Sequence, residues 1–314
     1  MNIYDYILEK LAENKRITDS LILVFKNSKR ILDLSNDEIV KVLIKTKIHE
    51  DSIRNFLENK EQFRKNPQVY ISDCNLEIGK IRKVFNAEII SFSDFNYPEQ
   101  LKKIKEIPLN LYVRGNLNFD YQKSLAIVGT RKATNYAKEK IREITSDLSK
   151  ENFCIISGLA RGIDTEAHTS AILSGGKTIA VLPYINEIYP PENISLAEEI
   201  LKSGGAIISE NCFFKKYYHP SLLTQRNRII SGLSKGVFIV EGSKQSGSFS
   251  QYNHAKRQNK IIFSLKPTKK HEGDYLPRLI MAQQKNWIVS SGEVTRLLKG
   301  KNNLKLDNYF DSSK

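Results

Sequence analysis

Up to about residue 70, apolar positions recur at helical spacing with charged residues between them. YDYILEKLAENK, ITDSLILVFKNSKRILDL, NDEIVKVLIK and EDSIRNFLENKEQFRKN each predict an amphipathic helix. Thr18-Asp19, Ser35-Asn36 and Asp51-Ser52 are candidate N-caps, because a short polar side chain can accept from the free N–H groups of a first turn. Short helices with short connections predict a small helical domain over residues 1–75, SAM-like or helix-hairpin-helix-like, which reads as a docking or stabilising module.

From about residue 85 the period changes. AEIISF and NLYVRG predict strands, with YPEQLKKI as a short helix between them. A regular alternation follows. The β-branched apolar runs 125–129, 153–158, 178–182, 206–210, 236–242 and 260–265 read as buried strands, and amphipathic stretches at 134–150, 164–174, 192–203, 221–234 and 248–258 separate them. WIV at 287–289 adds an edge strand, followed by a helix at 292–299. The fold class is α/β: a Rossmann-like, doubly wound, mostly parallel sheet over residues 76–300, with a polar tail at 301–314.

The chain has 314 residues, 40% of them hydrophobic, enough for two packed units. Lys and Arg number 49 against 35 Asp and Glu, a net charge of +14, which suits a polyanionic partner. No apolar run reaches the 18–20 residues of a membrane span, and the N-terminus has no signal-peptide core, so a cytoplasmic protein with no membrane partner is expected. Cys74, Cys154 and Cys212 are too far apart for a CxxC site, and five scattered His residues form no HExxH, so neither a metal nor a cofactor is expected.

In a doubly wound sheet, ligands bind beyond the carboxyl ends of the strands. After the first strand of the alternation stands Gly129-Thr130-Arg131-Lys132, where a helix N-terminus and a guanidinium can meet phosphate. The loop is not GxGxxG, and the acidic ribose-binding residue about 20 positions on is absent, which argues against a dinucleotide. After the second strand, Ser157-Gly158-Leu159-Ala160-Arg161-Gly162-Ile163-Asp164 forms another glycine-bearing turn, with Asp164 read as a helix cap and His168 as a packed or hydrogen-bonded histidine. Arg226-Asn227-Arg228 lies near a helix start. The two arginines do not share a face, so one of them can instead pair with Glu210 or Glu241. After the fifth strand come Lys244, Ser246, Gly247 and Ser248, a third candidate anion cradle, opening a stretch to His271 without Asp or Glu. Tyr252 beyond it is a candidate for stacking on a base or for filling the helix–sheet interface. Several cradles along one sheet edge suit a run of nucleotides better than one nucleotide.

VGTRKATNYAKEK, ISGLARGIDTEAH, GGKTIAVL, IYPPEN, IISEN, RNRIISGLS, VEGSKQSGSFSQ and YLPRLIMAQQKNWIV stand in order, and together they resemble the DprA/Smf family of DNA-processing proteins over roughly residues 85–298. The resemblance implies an extended Rossmann fold that binds single-stranded DNA, forms a homodimer and helps load a RecA-type recombinase, protecting incoming DNA during natural transformation. It implies a binding protein rather than an enzyme, with no catalytic residue. Carried over by motif, the phosphate pocket comprises Gly129, Thr130, Arg131, Ser157, Gly158, Arg161, Gly162, Arg226, Asn227, Arg228, Ser246, Gly247 and Ser248. Lys244 joins them on charge alone. The chain departs from the family pattern at Leu223-Thr224, where Phe-Pro is usual, and at Gln251-Tyr252, where Thr-Ala is usual. It also leaves no room after Gly300 for the winged helix of many members. Two other readings stay open: a sensor that binds a small nucleotide in the same cradle, and a nucleotide phosphoribohydrolase of the related Rossmann-like superfamily. For the second, SKQSGSFSQ lacks the PGGxGTxxE segment and its catalytic Glu.

Overall fold

The computed structural model describes residues 1–46, 48–213, 219–267, 271–284 and 286–299; the predicted tail at 301–314 lies outside the described residues. The N-terminal unit consists of α1 (Ile3–Ala12), α2 (Lys15–Phe25), α3 (Ser28–Asp33), α4 (Asn36–Leu43), α5 (Glu50–Lys65) and α6 (Pro67–Phe85). Ser35 caps α4 with a full capping box to Glu38, as its sequence position predicts. The other two predicted caps are corrected. Asn14 caps α2, leaving Thr18 and Asp19 buried within the helix, and His49 precedes α5 in place of Asp51-Ser52. The single predicted helix at 17–34 divides into α2 and α3, because Asn27 caps a new start. Helix α6 has no counterpart among the predicted elements. It buries only the narrow stripe Cys74, Ile78 and Ile81, a weak periodic signal, and it runs unbroken through residues 75 and 76.

The sheet comprises β1 (Glu88–Ser91), β2 (Asn110–Gly115), β3 (Ser124–Val128), β4 (Cys154–Ser157), β5 (Thr178–Val181), β6 (Ala206–Ser209), β7 (Gly236–Ile239), β8 (Ile261–Leu265) and β9 (Trp287–Ile288). Its order is β1-β2-β6-β5-β4-β3-β7-β8-β9. The β1–β2 and β2–β6 pairs are antiparallel, and every other pair is parallel. From β3 the chain winds first toward β4, β5 and β6, then returns to place β7 on the other side. The switch point therefore lies at β3.

Between the strands run α7 (Asn135–Lys150), α8 (Ile163–Leu173), α9 (Ile194–Lys202), α10 (Pro220–Gln225), α11 (Asn227–Leu233), α12 (Gly247–Arg257), α13 (Tyr275–Gln284) and α14 (Ser291–Leu298). Strand alternation distributes the core. Leu125 and Ile127 of β3 pack with α7, α8 and α14, whereas Ala126 and Val128 point into the cluster that contains α11, α12 and α13. Both faces are covered, which is why the parallel strands read as continuous apolar runs. The predicted helix at 221–234 is interrupted at Arg226 and becomes α10 and α11. Helix α13 was not predicted. Its Pro277 argues against a helix in sequence but sits in the first turn, where a missing N–H costs little.

The helical unit is fastened to the sheet through polar contacts. The Asp5 carboxylate accepts from the Ser93 N–H at 2.8 Å, and Glu9 accepts from the Asn110 side chain. Lys15 pairs with Glu210 at the end of β6.

Candidate nucleic-acid interface

A cleft of about 720 Å³ opens at the carboxyl ends of β3, β4 and β7, at the switch point. Its first wall is the turn after β3, carrying Gly129, Thr130 and the exposed pair Arg131 and Lys132. Thr134 then caps α7, accepting from the Ala137 N–H at 3.1 Å while its hydroxyl donates to Glu241 at 2.6 Å. That contact accounts for Glu241, which braces the cap and pairs with neither arginine of the triplet.

The second wall is the loop after β4. Asp164 does not cap α8; Gly162 holds that position. The buried Asp164 carboxylate instead accepts from the N–H groups of Gly158 at 3.1 Å and Ala160 at 3.3 Å, folding the loop back on itself. Burial raises the Asp164 pKa, while Arg226 and these donors pull it down. Gly162 has φ of +80°, and a Cβ there would stand 2.4 Å from the Thr130 carbonyl oxygen, so only glycine lets the first two walls meet. Ser157 does not line the cleft: its buried hydroxyl donates to the Ile127 carbonyl at 2.6 Å.

Arg226 forms the floor. Its side chain is buried, lies across Gly158 and donates to that residue's carbonyl at 3.1 Å. A Cβ on Gly158 would fall 1.6 Å from the guanidinium, so the loop glycine makes room for the arginine. Burial lowers the Arg226 pKa, with Asp164 opposing and Arg131 adding to the effect; a guanidinium stays charged at such a site. Its Nε has no protein partner among the described residues. Asn227 completes this side, its amide donating to the Gly247 carbonyl at 3.3 Å. Beneath, His168 is wholly buried against Thr178 at 2.7 Å, and burial pushes its imidazole down to about 3, so it is neutral and structural.

The third wall is the turn after β7. Ser246 precedes α12 without a side-chain cap; its hydroxyl donates to the Ser243 carbonyl, and Gly247 and Ser248 open the helix at the cleft. Lys244 stands just outside, on an adjoining cavity of about 490 Å³ shared with Tyr275 and Arg278.

Of the fourteen predicted residues, the cleft thus gathers Gly129, Thr130, Arg131, Arg226, Asn227, Ser246, Gly247 and Ser248. Gly158 and Arg161 line a recess that shares Arg131 and Arg226 with it. Arg228 is a correction. It is buried on the opposite side of α11, grips Glu210 through two nitrogens and donates to the Glu106 carbonyl at 2.7 Å. Burial raises the Glu210 pKa, but Arg228 and Lys15 overcome that and hold it at about 2. Tyr252 is also buried, with its hydroxyl donating to Gln283 at 2.6 Å; it fills the helix–sheet interface.

Sequence reasoning missed the loop His271–Gly273, which closes the cleft beyond β8, and the buried Gln251 on α12. The same strand-end rule, applied to the sixth run of the alternation, points to that loop. Lys269 and Lys270 of the basic stretch lie outside the described residues. Among the described residues no group of acidic, His and Cys side chains is arranged to hold a metal, and no helix is long and apolar enough to cross a membrane.

The fold and cleft define a class: a Rossmann-type α/β protein with its site built from loops at the topological switch point. Residues 88–296 match the model of DNA recombination-mediator protein A, and the chain belongs to that family. Protein Smf of Borreliella burgdorferi is 38% identical over 170 residues, covering 54% of each chain. The DNA processing protein A structure from Streptococcus pneumoniae superposes with a TM-score of 0.74 at 25% identity, covering 94% of this chain and 97% of that one. DNA processing protein A of Helicobacter pylori, whose structure was described for its single-stranded DNA binding mode, gives a TM-score of 0.60 at 29% identity, over 68% of this chain and 98% of that one. The chain spans about half the length of the curated relatives it matches.

Proposed function

We propose that the cleft binds single-stranded DNA and that the protein serves as a recombination mediator, delivering the bound strand to a RecA-type recombinase. The observation that carries this reading is the convergence of three strand-end loops on Arg131 and Arg226 at the switch point. Exposed Arg131 and Lys132 can neutralise phosphates, while buried Arg226 offers a fixed guanidinium whose charge is less screened than at the surface. Several strand-end loops along one sheet edge suit a run of nucleotides better than a single one.

Binding is favoured over catalysis by the state of the carboxylates. Of the two that line the cleft among the described residues, Asp164 is engaged by backbone N–H groups and Glu272 lies at the rim. The acting form is read as a homodimer in the cytoplasm, with natural transformation as the setting.

The deciding measurement compares single-stranded and duplex oligonucleotides at two salt concentrations. A single-strand preference that falls with salt, and weakens in Arg131→Ala, supports the assignment. Equal affinity for both forms refutes it, as does release of base from a nucleoside monophosphate. Addition of a RecA-type recombinase to the complex tests mediation: filament formation on the coated strand is expected to accelerate.

A further inference from the structure

We propose that the outer face of α6 pairs antiparallel with the same face of a second copy of this chain. The proposal rests on the homodimer reading and supplies a surface for it. Of the 19 residues of α6, about 28 Å of helix, only Cys74, Ile78 and Ile81 are buried. Val69, Leu76 and Val84 are 63%, 64% and 62% exposed, and at 3.6 residues per turn they fall within an arc of about 80°, turned away from the buried stripe. Single exposed apolar side chains are ordinary on a protein surface; three aligned along one helix face mark an interaction surface. Gly79 lies beside Leu76 on that outer side. A glycine weakens the middle of a helix, and a Cβ at this position would meet nothing within 4 Å, so no contact within the chain calls for it. What it leaves is a backbone open to close approach by a neighbouring helix.

The charges on the same face select the occupant. Glu77 pairs with Lys10 and Arg82 with Glu88, whereas the exposed Asp73 and Lys80 have no ion-pair partner among the described residues. Asp73 stands three residues before Leu76 and Lys80 four after it; Val69 stands seven before and Val84 eight after. A two-fold axis crossing the helix between Leu76 and Glu77 therefore sets Asp73 of each copy opposite Lys80 of the other and Val69 opposite Val84, with the two Leu76 side chains beside the axis. A parallel arrangement would set Asp73 against Asp73 and Lys80 against Lys80. The face is thus complementary to itself in one orientation, which is what an isologous contact requires. Lys83, exposed on the same side, can lay its aliphatic stem along the seam and keep its ammonium in water. The area is that of one helix face, so the contact belongs to the small, concentration-dependent class. The charge of +14 on each copy opposes it until salt screens the long-range repulsion.

The test is sedimentation of the full chain over a concentration series, in salt that brings the Debye length to about 8 Å. The parent is expected to self-associate. Leu76→Glu, at an exposed position that folding does not need, is expected to weaken that association about 30-fold. Asp73→Lys and Lys80→Asp are each expected to weaken it about tenfold, and the double variant to regain the parent's affinity, because the swap restores both pairs. Under mild oxidation, Asp73→Cys combined with Lys80→Cys is expected to cross-link two chains more readily than either cysteine alone; a parallel pair would cross-link through each single cysteine. None of these residues lines the cleft, so affinity for a short oligonucleotide is expected to stay at the parent's value, which verifies that each variant is folded. If the parent sediments as a monomer throughout, this surface and the homodimer reading both fail. If the parent associates and Leu76→Glu leaves its mass distribution unchanged, copies meet elsewhere and α6 faces some other partner: this proposal fails and the homodimer reading stands. If the charge-swapped double variant stays as weak as the single ones, the antiparallel pairing is overturned.

Discussion

At the scale of single residues, the triplet Arg226-Asn227-Arg228 divides its tasks. Arg226 faces the cleft, and Arg228, two positions on, is locked to Glu210. Removing one partner of a buried ion pair leaves an uncompensated charge. Arg228→Ala is therefore expected to cost about 3–5 kcal/mol of stability, read by chemical denaturation. Which arginine would serve the site was not legible in sequence, because the choice depends on which strand end folds opposite α11. Two carboxylates near the same seam carry the opposite electrostatic cost. Burial pushes Glu9 and Asp19 up to about 7, against the pull of Lys15 on both. Their folded pKa values lie above the unfolded ones, so the stability linked to protonation is present at low pH and lost as pH rises to about 7, from 4.5 for Glu9 and from 3.8 for Asp19. Glu9→Gln and Asp19→Asn are each expected to flatten that decline in thermal melts recorded across this window.

At the scale of elements, the alternation of strand and helix from β3 onward was readable because each parallel strand is apolar on both faces. The helices that escaped were those with a thin buried stripe, α6, or a proline in the first turn, α13. The loops were legible as glycine-bearing strand ends. The reason for each glycine was not, since it is set by what crosses the loop in space. Gly158 illustrates this: its missing Cβ is the space that Arg226 occupies. Gly158→Ala is expected to displace the guanidinium and reduce single-strand affinity about tenfold, the worth of one charge-assisted hydrogen bond, in an anisotropy titration. The three loops also brace one another through Gly162 against Thr130 and through Thr134 against Glu241, so the cleft is formed before any ligand arrives.

At the scale of the whole molecule, the charge of +14 divides between a local and a distributed role. Few of the 49 basic residues line the cleft, and the rest supply a long-range field that favours encounter with a polyanion. Affinity for a single strand is expected to fall linearly on a log–log salt plot. The double variant Arg131→Ala, Lys132→Ala is expected to reduce that slope by about 1.4, corresponding to two phosphates at about 0.7 each. The seam between the helical unit and the sheet has a consequence at this same scale. The family match begins at residue 88, yet Glu210, well inside it, takes one of its two counter-ions from Lys15. The first helices act as an electrostatic keystone. Cutting the chain back to the matched segment strips a cation from a carboxylate whose other partner lies two residues from the floor of the cleft, and that truncation is expected to lower the denaturation midpoint of the sheet unit.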